Sequence, residues 1–320
     1  MTTVRVSRRG FLGVAAAGAA AGAAAALPRR AAAREEVQPE PKAVGLLYDS
    51  TRCVGCGGCV AACKEANGLP YQDEPRELDC NTKNVVKTRH LSHPVAGGAT
   101  SAFVKRQCMH CVDPSCVSVC VLGALHKEGR DKRDSGGERR GSGIVLYDKE
   151  LCLGCRYCQI ACAYSIPKFE WAKAIPRIVK CELCHGRADP AKGGALASAN
   201  PACAEVCPAE AVIFGYRADL LAEAKRRMAR EPGRYNPKIF GEHDGGGTQA
   251  LYLAGAGVSF KELGLPDMPE NSPASLSESV SETPYLHGLT PLALYAAAAL
   301  IVRRNHRADP PDGAKDEEHR

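Results

Sequence analysis

Residues 53–63 read CVGCGGCVAAC, and three further groups of four cysteines follow along the chain. The cysteines of this stretch are separated by two, two and three residues, and the same spacing returns in CLGCRYCQIAC at residues 152–162. The other groups are CMHCVDPSCVSVC at 108–120 and a split group, CELC at 181–184 with CAEVC at 203–207. Sixteen of the 17 cysteines belong to these groups, so cysteine chemistry decides the fold.

The C-x2-C-x2-C-x3-C spacing is that of bacterial ferredoxins, in which three close thiolates hold one [4Fe-4S] cluster and the fourth binds its neighbour. Intervening glycines such as Gly55 and Gly154 let the backbone turn three sulfurs toward one small cluster. The two middle groups follow each other as in a two-cluster ferredoxin, and the outer groups pair by exclusion. The spacing therefore predicts four [4Fe-4S] clusters. The predicted ligands are Cys53, Cys56, Cys59 and Cys207 for cluster 1; Cys63, Cys181, Cys184 and Cys203 for cluster 2; Cys108, Cys111, Cys116 and Cys162 for cluster 3; and Cys120, Cys152, Cys155 and Cys158 for cluster 4.

An internal repeat supports this interpretation independently of the cysteine count. LLYDSTRCVGC from Leu46 aligns with VLYDKELCLGC from Val145, and short apolar runs follow Cys120 and Cys207. Strand, ligand loop, helix and strand thus occur twice. We predict an α+β fold of two pseudo-symmetric ferredoxin-type dicluster units over residues 44–216.

Two other interpretations of the cysteines are structural zinc and a disulfide framework. A zinc site takes four ligands from two CxxC knuckles and does not require three cysteines at the C-x2-C-x2-C spacing. A disulfide framework would require many near neighbours to bridge distant partners. Absorption spectra and iron content distinguish the cluster, zinc and disulfide interpretations.

Two residues depart from the pattern or keep it. Cys80 lies outside the four groups and is predicted to be a spare thiol. Pro208 is the one position that keeps the proline that follows the last cysteine in ferredoxins.

The N-terminus resembles a twin-arginine signal. Arg8 and Arg9 precede an Ala/Gly-rich apolar run, and Ala31–Ala33 fit a small-residue cleavage site, so residues 1–33 are predicted to be the signal peptide. The alternative to a signal peptide is a chance arginine pair before an Ala-rich helix. The twin-arginine route carries folded proteins, so a domain whose clusters are already assembled could be exported intact. Five of the six net positive charges lie in these residues, which leaves +1 for the rest of the chain and little support for nucleic-acid binding.

A second hydrophobic stretch lies near the C-terminus. Residues 286–302 carry no formal charge and would span about 25 Å as a helix. Arginines follow directly, which by the positive-inside rule places residues 303–320 in the cytoplasm and the cysteine-rich part on the outer, periplasmic face of the inner membrane. A buried Ala-rich helix is the alternative. The amphipathic pattern at 217–231 predicts a helix that begins an extension over 217–264, and Pro/Ser-rich residues 265–284 are predicted to be a flexible linker.

The chain has no catalytic constellation, phosphate loop or complete dinucleotide fingerprint, so we predict electron transfer and not catalysis. GEHDGGGTQ at 241–249 lacks a P-loop lysine and is predicted to be a turn. A metal-binding scaffold without redox turnover is the alternative function. Several residues beside the ligands are candidates for tuning the clusters: as hydrogen-bond donors His110 and His185, and as cations that ease reduction Lys105, Arg106, Arg156 and Lys180.

The stretches GLLYDSTRCVGC, KRQCMHCVDPSCVSVC, GGGTQALYLAG and TPLALYAAAALIVRRN together resemble the iron–sulfur subunits of membrane-bound hydrogenase-2 over nearly the whole chain. The broader family includes the beta subunits of respiratory formate dehydrogenase and related molybdoenzymes, which is the alternative identity. The resemblance implies a relay between the large and small subunits of a periplasmic [NiFe] hydrogenase and an integral membrane quinone-reactive subunit, with a C-terminal helix in the bilayer.

Overall fold

The computed structural model describes residues 37–94, 98–129, 141–187 and 200–275, together with Tyr295 and residues 298–300. Within these ranges the strands, β1 to β9, are Val44–Asp49, Val85–His90, Ser101–Arg106, Leu125–Lys127, Val145–Tyr147, Lys168–Phe169, Ile178–Val179, Val212–Tyr216 and Ala250–Leu253. The helices, α1 to α5, are Gly58–Ala66, Ser115–Ser118, Tyr157–Ala161, Ala202–Glu205 and Arg217–Arg230, and His185–Arg187 form a 3-10 turn. All of these elements belong to one compact unit, Glu35–Ser275.

Strand β1 is the centre of a three-stranded sheet. It pairs antiparallel with β8, from Val44 opposite Tyr216 to Tyr48 opposite Val212, and parallel with β9 on its other side. All six residues of β1 are buried, as expected of a central strand with a continuous apolar run. This pairing joins the chain just before the first cysteine group to the chain just after the last one.

Strands β4 and β5 pair in the same way further along the chain. Leu125 lies opposite Tyr147 and Lys127 opposite Val145, so the chain after the second cysteine group runs antiparallel to the chain before the third. The four strands predicted around the cysteine groups are therefore confirmed.

The aligned repeat residues also make the same local turn. The Asp49 carboxylate accepts a hydrogen bond from the Thr51 N–H at 3.0 Å, and the Asp148 carboxylate accepts one from the Glu150 N–H at 2.9 Å. Each aspartate thus ends its strand with an Asx turn and directs the chain toward the next cysteine.

Three further strand pairings were not predicted from the sequence. The antiparallel pairs β2–β3 and β6–β7 are short ribbons, and β9 joins the three-stranded sheet although it lies beyond residue 216. The sheet that contains β1 therefore draws on the segment predicted to be an extension.

The predicted helix at 217–231 is confirmed as α5, Arg217–Arg230. Its buried side has Leu220 and Ala224 packed against Leu47 and Leu251 of the sheet. Arg227 on the same helix donates a hydrogen bond to the buried Asp49 carboxylate at 3.1 Å, and the Tyr235 hydroxyl donates another at 3.1 Å. This network fixes α5 to the end of β1.

The predicted linker differs from the structure over residues 265–275. Leu265 and Ala274 are buried, and the Gly245 N–H donates a hydrogen bond to the Pro269 carbonyl at 2.7 Å. These contacts hold the segment against the glycine loop before β9, so its Pro/Ser content marks an ordered loop there.

The predicted signal at 1–33, the rest of the linker and the tail at 303–320 lie outside the described residues. Of the predicted anchor at 286–302, Tyr295 and residues 298–300 are described and are helical. Over the described part of the chain, no helix has the length and apolar character needed to cross a membrane.

We expect Asp49→Asn to lower the free energy of unfolding by about 2 kcal/mol. Asparagine keeps the Asx turn but removes the charge that faces Arg227. The Arg227 side chain is 5% exposed and then keeps one carboxylate partner among the described residues, Glu223, and its hydrogen bonds to the Glu210 carbonyl. Urea unfolding followed by circular dichroism measures the change. Asp219→Asn, an exposed change on α5, is the matched control and should cost less than about 1 kcal/mol. Equal effects of the two changes would contradict the role of the buried pair.

Candidate metal centres

Site 1 consists of Cys53, Cys56, Cys59 and Cys207, which line one cavity. Cys53 and Cys56 lie on the loop that follows β1, Cys59 lies in the first turn of α1, and Cys207 lies before β8. Pairing of β1 with β8 brings these distant parts of the chain together. Tyr48, on β1, also lines the cavity, and burial followed by the neighbouring Cys53 thiol raises its pKa well above the usual value.

Site 2 consists of Cys63, Cys181, Cys184 and Cys203, which line a second cavity with Asn67, Asn84 and Gln107. Cys63 lies on α1 and Cys203 on α4. The Leu183 N–H donates to the Cys181 sulfur at 3.4 Å, and the Asn67 amide donates to the Cys63 sulfur at 3.6 Å. Polar hydrogens thus point at sulfur in this site.

Site 3 consists of Cys108, Cys111, Cys116 and Cys162. Burial raises the pKa of Cys111 well above its usual value, and the other three thiols of the site raise it further. The structure therefore brings these four thiols together.

Site 4 consists of Cys120, Cys152, Cys155 and Cys158. The pKa of Cys158 is raised to about 12, first by burial and then by the other three thiols. Backbone N–H groups point at sulfur here too, from Leu125 to Cys120 at 3.3 Å and from Gly154 to Cys152 at 3.4 Å.

Electrostatic contacts between thiols order the four sites in a row. Beyond the effect of burial, the Cys59 thiol of site 1 interacts with Cys203 of site 2. In the same way Cys181 of site 2 interacts with Cys108 of site 3. Cys116 of site 3 interacts with Cys158 of site 4. The sequence of sites is therefore 1, 2, 3, 4.

Exposure differs between the ends and the middle of this row. Cys56 of site 1 and Cys155 of site 4 are the exposed cysteines of the described chain, whereas every cysteine of sites 2 and 3 is buried or half-buried. The surface beside site 4 is apolar: Val121, Leu153 and Ile160 are 82%, 72% and 83% exposed. Patches of this kind mark contacts with other proteins or membranes.

The sets fit [4Fe-4S] clusters in the number and type of ligand. Each supplies four sulfurs, the ligand that such clusters take, and several sulfurs already accept N–H hydrogen bonds of the kind that tune cluster potentials. In the described ranges no three His, Cys, Asp or Glu side chains are arranged to hold a single metal ion. A [4Fe-4S] cluster holds its four cysteine sulfurs further apart than a single metal ion would, because four iron atoms lie between them.

The ligand loops of sites 1 and 4 share one backbone shape. Gly55 and Gly57 have φ near +72°, and at the corresponding positions Gly154 has φ +73° and Arg156 φ +70°. An added Cβ at Gly154 would lie 2.6 Å from the Pro176 carbonyl oxygen. Glycine is therefore required there by both conformation and space.

The predicted tuning residues have different environments. Lys105 and Lys180 are 1% and 3% exposed, whereas Arg156 is exposed and lies 4.2 Å from the Trp171 ring. Arg106 is half-buried and donates to the Tyr164 carbonyl at 3.0 Å. Two of the four predicted cations are thus in the low-dielectric interior, where a charge acts most strongly.

The two histidines also differ. His110 is fully buried, and its Nδ1 accepts a hydrogen bond from the Val145 N–H at 3.1 Å. Burial, followed by Lys180 and Lys127, lowers the pKa of His110 well below its usual value. His185 lies 3.4 Å from the Glu128 carboxylate, and that contact raises the pKa of His185 and holds the pKa of Glu128 near 2.

Sequence reasoning missed the role of the glycine loop and of Gln249. The Val112 N–H donates to the Gly247 carbonyl at 3.0 Å, and the Gln249 N–H donates to the Met109 carbonyl at 3.1 Å. The Gln249 side chain also accepts a hydrogen bond from buried Lys127 at 3.1 Å. The loop predicted to be a simple turn thus holds the ligand loop of site 3, and a local sequence pattern could not reveal this because the contact is distant in sequence.

Comparison with known proteins agrees with this donor set. The profile of a family described as a 4Fe-4S dicluster domain matches residues 99–217, which include the second, third and fourth cysteine groups. Over 98% of its length the chain is 38% identical to the hydrogenase-2 operon protein HybA of Escherichia coli O157:H7, all of which is covered. The chain belongs to the HybA family. The HybA protein of Shigella flexneri matches at the same identity and coverage.

The HybA family is related to other iron–sulfur subunits. The chain is 28% identical to the iron–sulfur subunit of the nitrate-inducible formate dehydrogenase of Escherichia coli K12, over 68% of the chain and 70% of that subunit. It is 32% identical to the B subunit of the anaerobic dimethyl sulfoxide reductase of the same strain, over 53% of the chain and 72% of that protein.

We expect Gly154→Ala to remove about four iron atoms per chain, because the new methyl group would collide with the Pro176 carbonyl and distort the loop of site 4. Iron analysis of the purified protein measures this. Gly123→Ala is the matched control: it lies three residues after Cys120 with φ +66° and has open space for a Cβ. It should keep its iron and cost about 1 kcal/mol. Loss of iron from both variants would contradict the account.

Proposed function

We propose that this chain is an electron relay that holds four [4Fe-4S] clusters in a row, one at each of sites 1 to 4. The observation that carries the proposal is the succession of four thiol sets with an exposed cysteine at each end, Cys56 and Cys155. A bound cluster supplies one-electron transfer. The protein supplies the ligands, their spacing and the exclusion of water.

The placement of the sites suits this role. Buried thiols in the middle of the row, such as Cys181 and Cys108, keep the interior sites away from solvent oxidants. The exposed loops around Cys56 and Cys155 are where electrons would enter and leave. The apolar surface beside site 4, with Ile160 and Leu153, suits contact with a further protein subunit of the same complex.

We further propose that the partner at one end is a [NiFe] hydrogenase, with its large and small subunits, and at the other an integral membrane quinone-reactive subunit. The full-length similarity to HybA supports a hydrogenase over a formate dehydrogenase, whose iron–sulfur subunit matches a smaller share of the chain at lower identity. A formate dehydrogenase or related molybdoenzyme is the second candidate.

The location proposed is the periplasmic face of the inner membrane. The arginine pair and apolar run of residues 1–33 support export by the twin-arginine route, and residues 286–302 followed by arginines support a C-terminal membrane anchor with a cytoplasmic tail. Export of the folded domain would let the thiols bind their clusters before they reach an oxidising compartment.

We expect the complex that copurifies with the full-length chain from native membranes, in mild detergent, to contain nickel. Under anaerobic conditions hydrogen should reduce its clusters, as observed by EPR, and formate should not. Molybdenum or tungsten without nickel, together with reduction by formate, would show that the relay belongs to a formate dehydrogenase or related molybdoenzyme. A protein without reducible paramagnetic centres would contradict the relay itself.

We expect Arg8→Lys combined with Arg9→Lys to leave the cluster-bound protein in the cytoplasm, because the twin-arginine route requires the pair. Cell fractionation and immunoblotting measure the distribution. The matched control changes the second adjacent arginine pair of residues 1–33, Arg29 and Arg30, to lysine in the same way and should be exported normally. Normal export of the Arg8/Arg9 variant would contradict the assignment.

A further inference from the structure

We propose that Lys105 is a buried cation shared by sites 1 and 2, and that its charge raises the reduction potentials of the two clusters bound there. The inference rests on the proposed cluster content of the sites. This role distinguishes Lys105 from the surface cations near the ligands, because solvent screens the charge of a surface cation.

Two hydrogen bonds from tyrosines fix the backbone around Lys105. Lys105 lies on β3, and its carbonyl accepts a hydrogen bond from the Tyr252 hydroxyl at 2.8 Å. Two residues earlier, the Phe103 carbonyl accepts one from the Tyr48 hydroxyl, also at 2.8 Å. These tyrosines come from β9 and β1 and contact each other, with ring centroids 5.4 Å apart. The strand is thus held to the sheet that carries the loop of site 1.

The ammonium group lies near thiols of both sites. Its hydrogen bond goes to the Gln107 side-chain oxygen, and Gln107 lines the cavity of site 2. The thiols with which it interacts electrostatically are Cys203 and Cys181 of site 2 and Cys59 of site 1. Although burial alone would lower the pKa of Lys105, these sulfurs raise it above the usual value.

The compensation of this charge is unusual for a buried lysine. In the described part of the chain no carboxylate oxygen lies within 4.0 Å of the Lys105 ammonium group, and its one hydrogen-bond acceptor is an amide. Buried Lys64 provides the contrast, because its ammonium group donates to four oxygens, from Pro70, Gln72, Asn81 and Thr82.

A buried ammonium group without anions would destabilise the fold, because it loses its hydration and gains no compensating charge. Neutral thiols cannot balance it. An oxidised [4Fe-4S] cluster with four thiolates carries about two negative charges, and reduction adds one more, so a nearby cation favours the reduced form. The charge missing around Lys105 is therefore the charge that the two sites would carry when loaded.

The test is a redox titration, followed by EPR, of the full-length chain purified anaerobically with its copurifying subunits. In Lys105→Met we expect the reduced-to-oxidised ratio of two clusters to fall about tenfold at a fixed potential, which is about 59 mV for a one-electron couple. The other two clusters should be unchanged. Lys105→Arg keeps the charge and should restore both potentials.

The matched control is Lys87→Met on the neighbouring strand β2. It removes the same charge from a position opposite Val104, where Lys87 forms an ion pair with the exposed Glu77 carboxylate, and should leave all four potentials unchanged. If Lys105→Met fails to assemble clusters, Lys105→Gln replaces it as the neutral variant.

Three results would overturn the proposal: unchanged potentials in a neutral variant, an equal shift of all four clusters, or loss of clusters from the methionine, glutamine and arginine variants alike, which would show a packing role. Failure of the proposed function is distinguishable, because the wild-type protein itself would then lack reducible clusters.

Discussion

The antiparallel pairing of β1 with β8 is the constraint on which the rest of the structure depends. It joins Val44–Asp49 to Val212–Tyr216 and so places the cysteines that follow the first strand beside those that precede the last. The same relation holds between β4 and β5 around the middle groups. Each cysteine site is thereby completed by residues distant in sequence. Aromatic side chains are scarce, at 5% of the sequence, and buried cysteines such as Cys108, Cys181 and Cys203 form part of the main core, so ligation and folding are coupled.

Electrostatics then explains why the interior contains lysines. In the proposed relay sixteen thiols would lose their protons to bind iron. Burial opposes this loss, because it raises the pKa of Cys59 and of Cys158 to about 12. Cations in the same low-dielectric interior stabilise thiolates and so offset the effect of burial. Lys105 lies beside sites 1 and 2, and Lys127 donates to the Cys111 carbonyl at 3.0 Å in site 3. Surface cations such as Arg156 stay near solvent and have less influence.

The sequence predicts the strands that its internal repeat encodes and the sites that its cysteine spacing encodes. Cysteine spacing, with the outer groups paired by exclusion, predicted four sets of thiols that lie close together in the structure, and that each set binds a cluster stays a prediction. The aligned apolar runs predicted β1 and β5, but not the turns that follow them. Contacts between distant segments leave no such pattern. Gln249 follows a glycine loop with no recognisable motif, yet its side chain donates to the Val44 carbonyl and so links the loop to β1. Residues 265–275 have the composition of a linker but are held by backbone hydrogen bonds to glycines, which composition cannot show.

The most direct test of the central claim is the iron and acid-labile sulfide content of the full-length chain, purified anaerobically from cells that assemble iron–sulfur clusters. Four [4Fe-4S] clusters predict about sixteen atoms of each per chain. The thiols of Cys53 and Cys207, from opposite ends of the cysteine-rich region, would then belong to one cluster. A colourless protein that contains zinc, or disulfide-bonded cysteines without iron, would contradict the account.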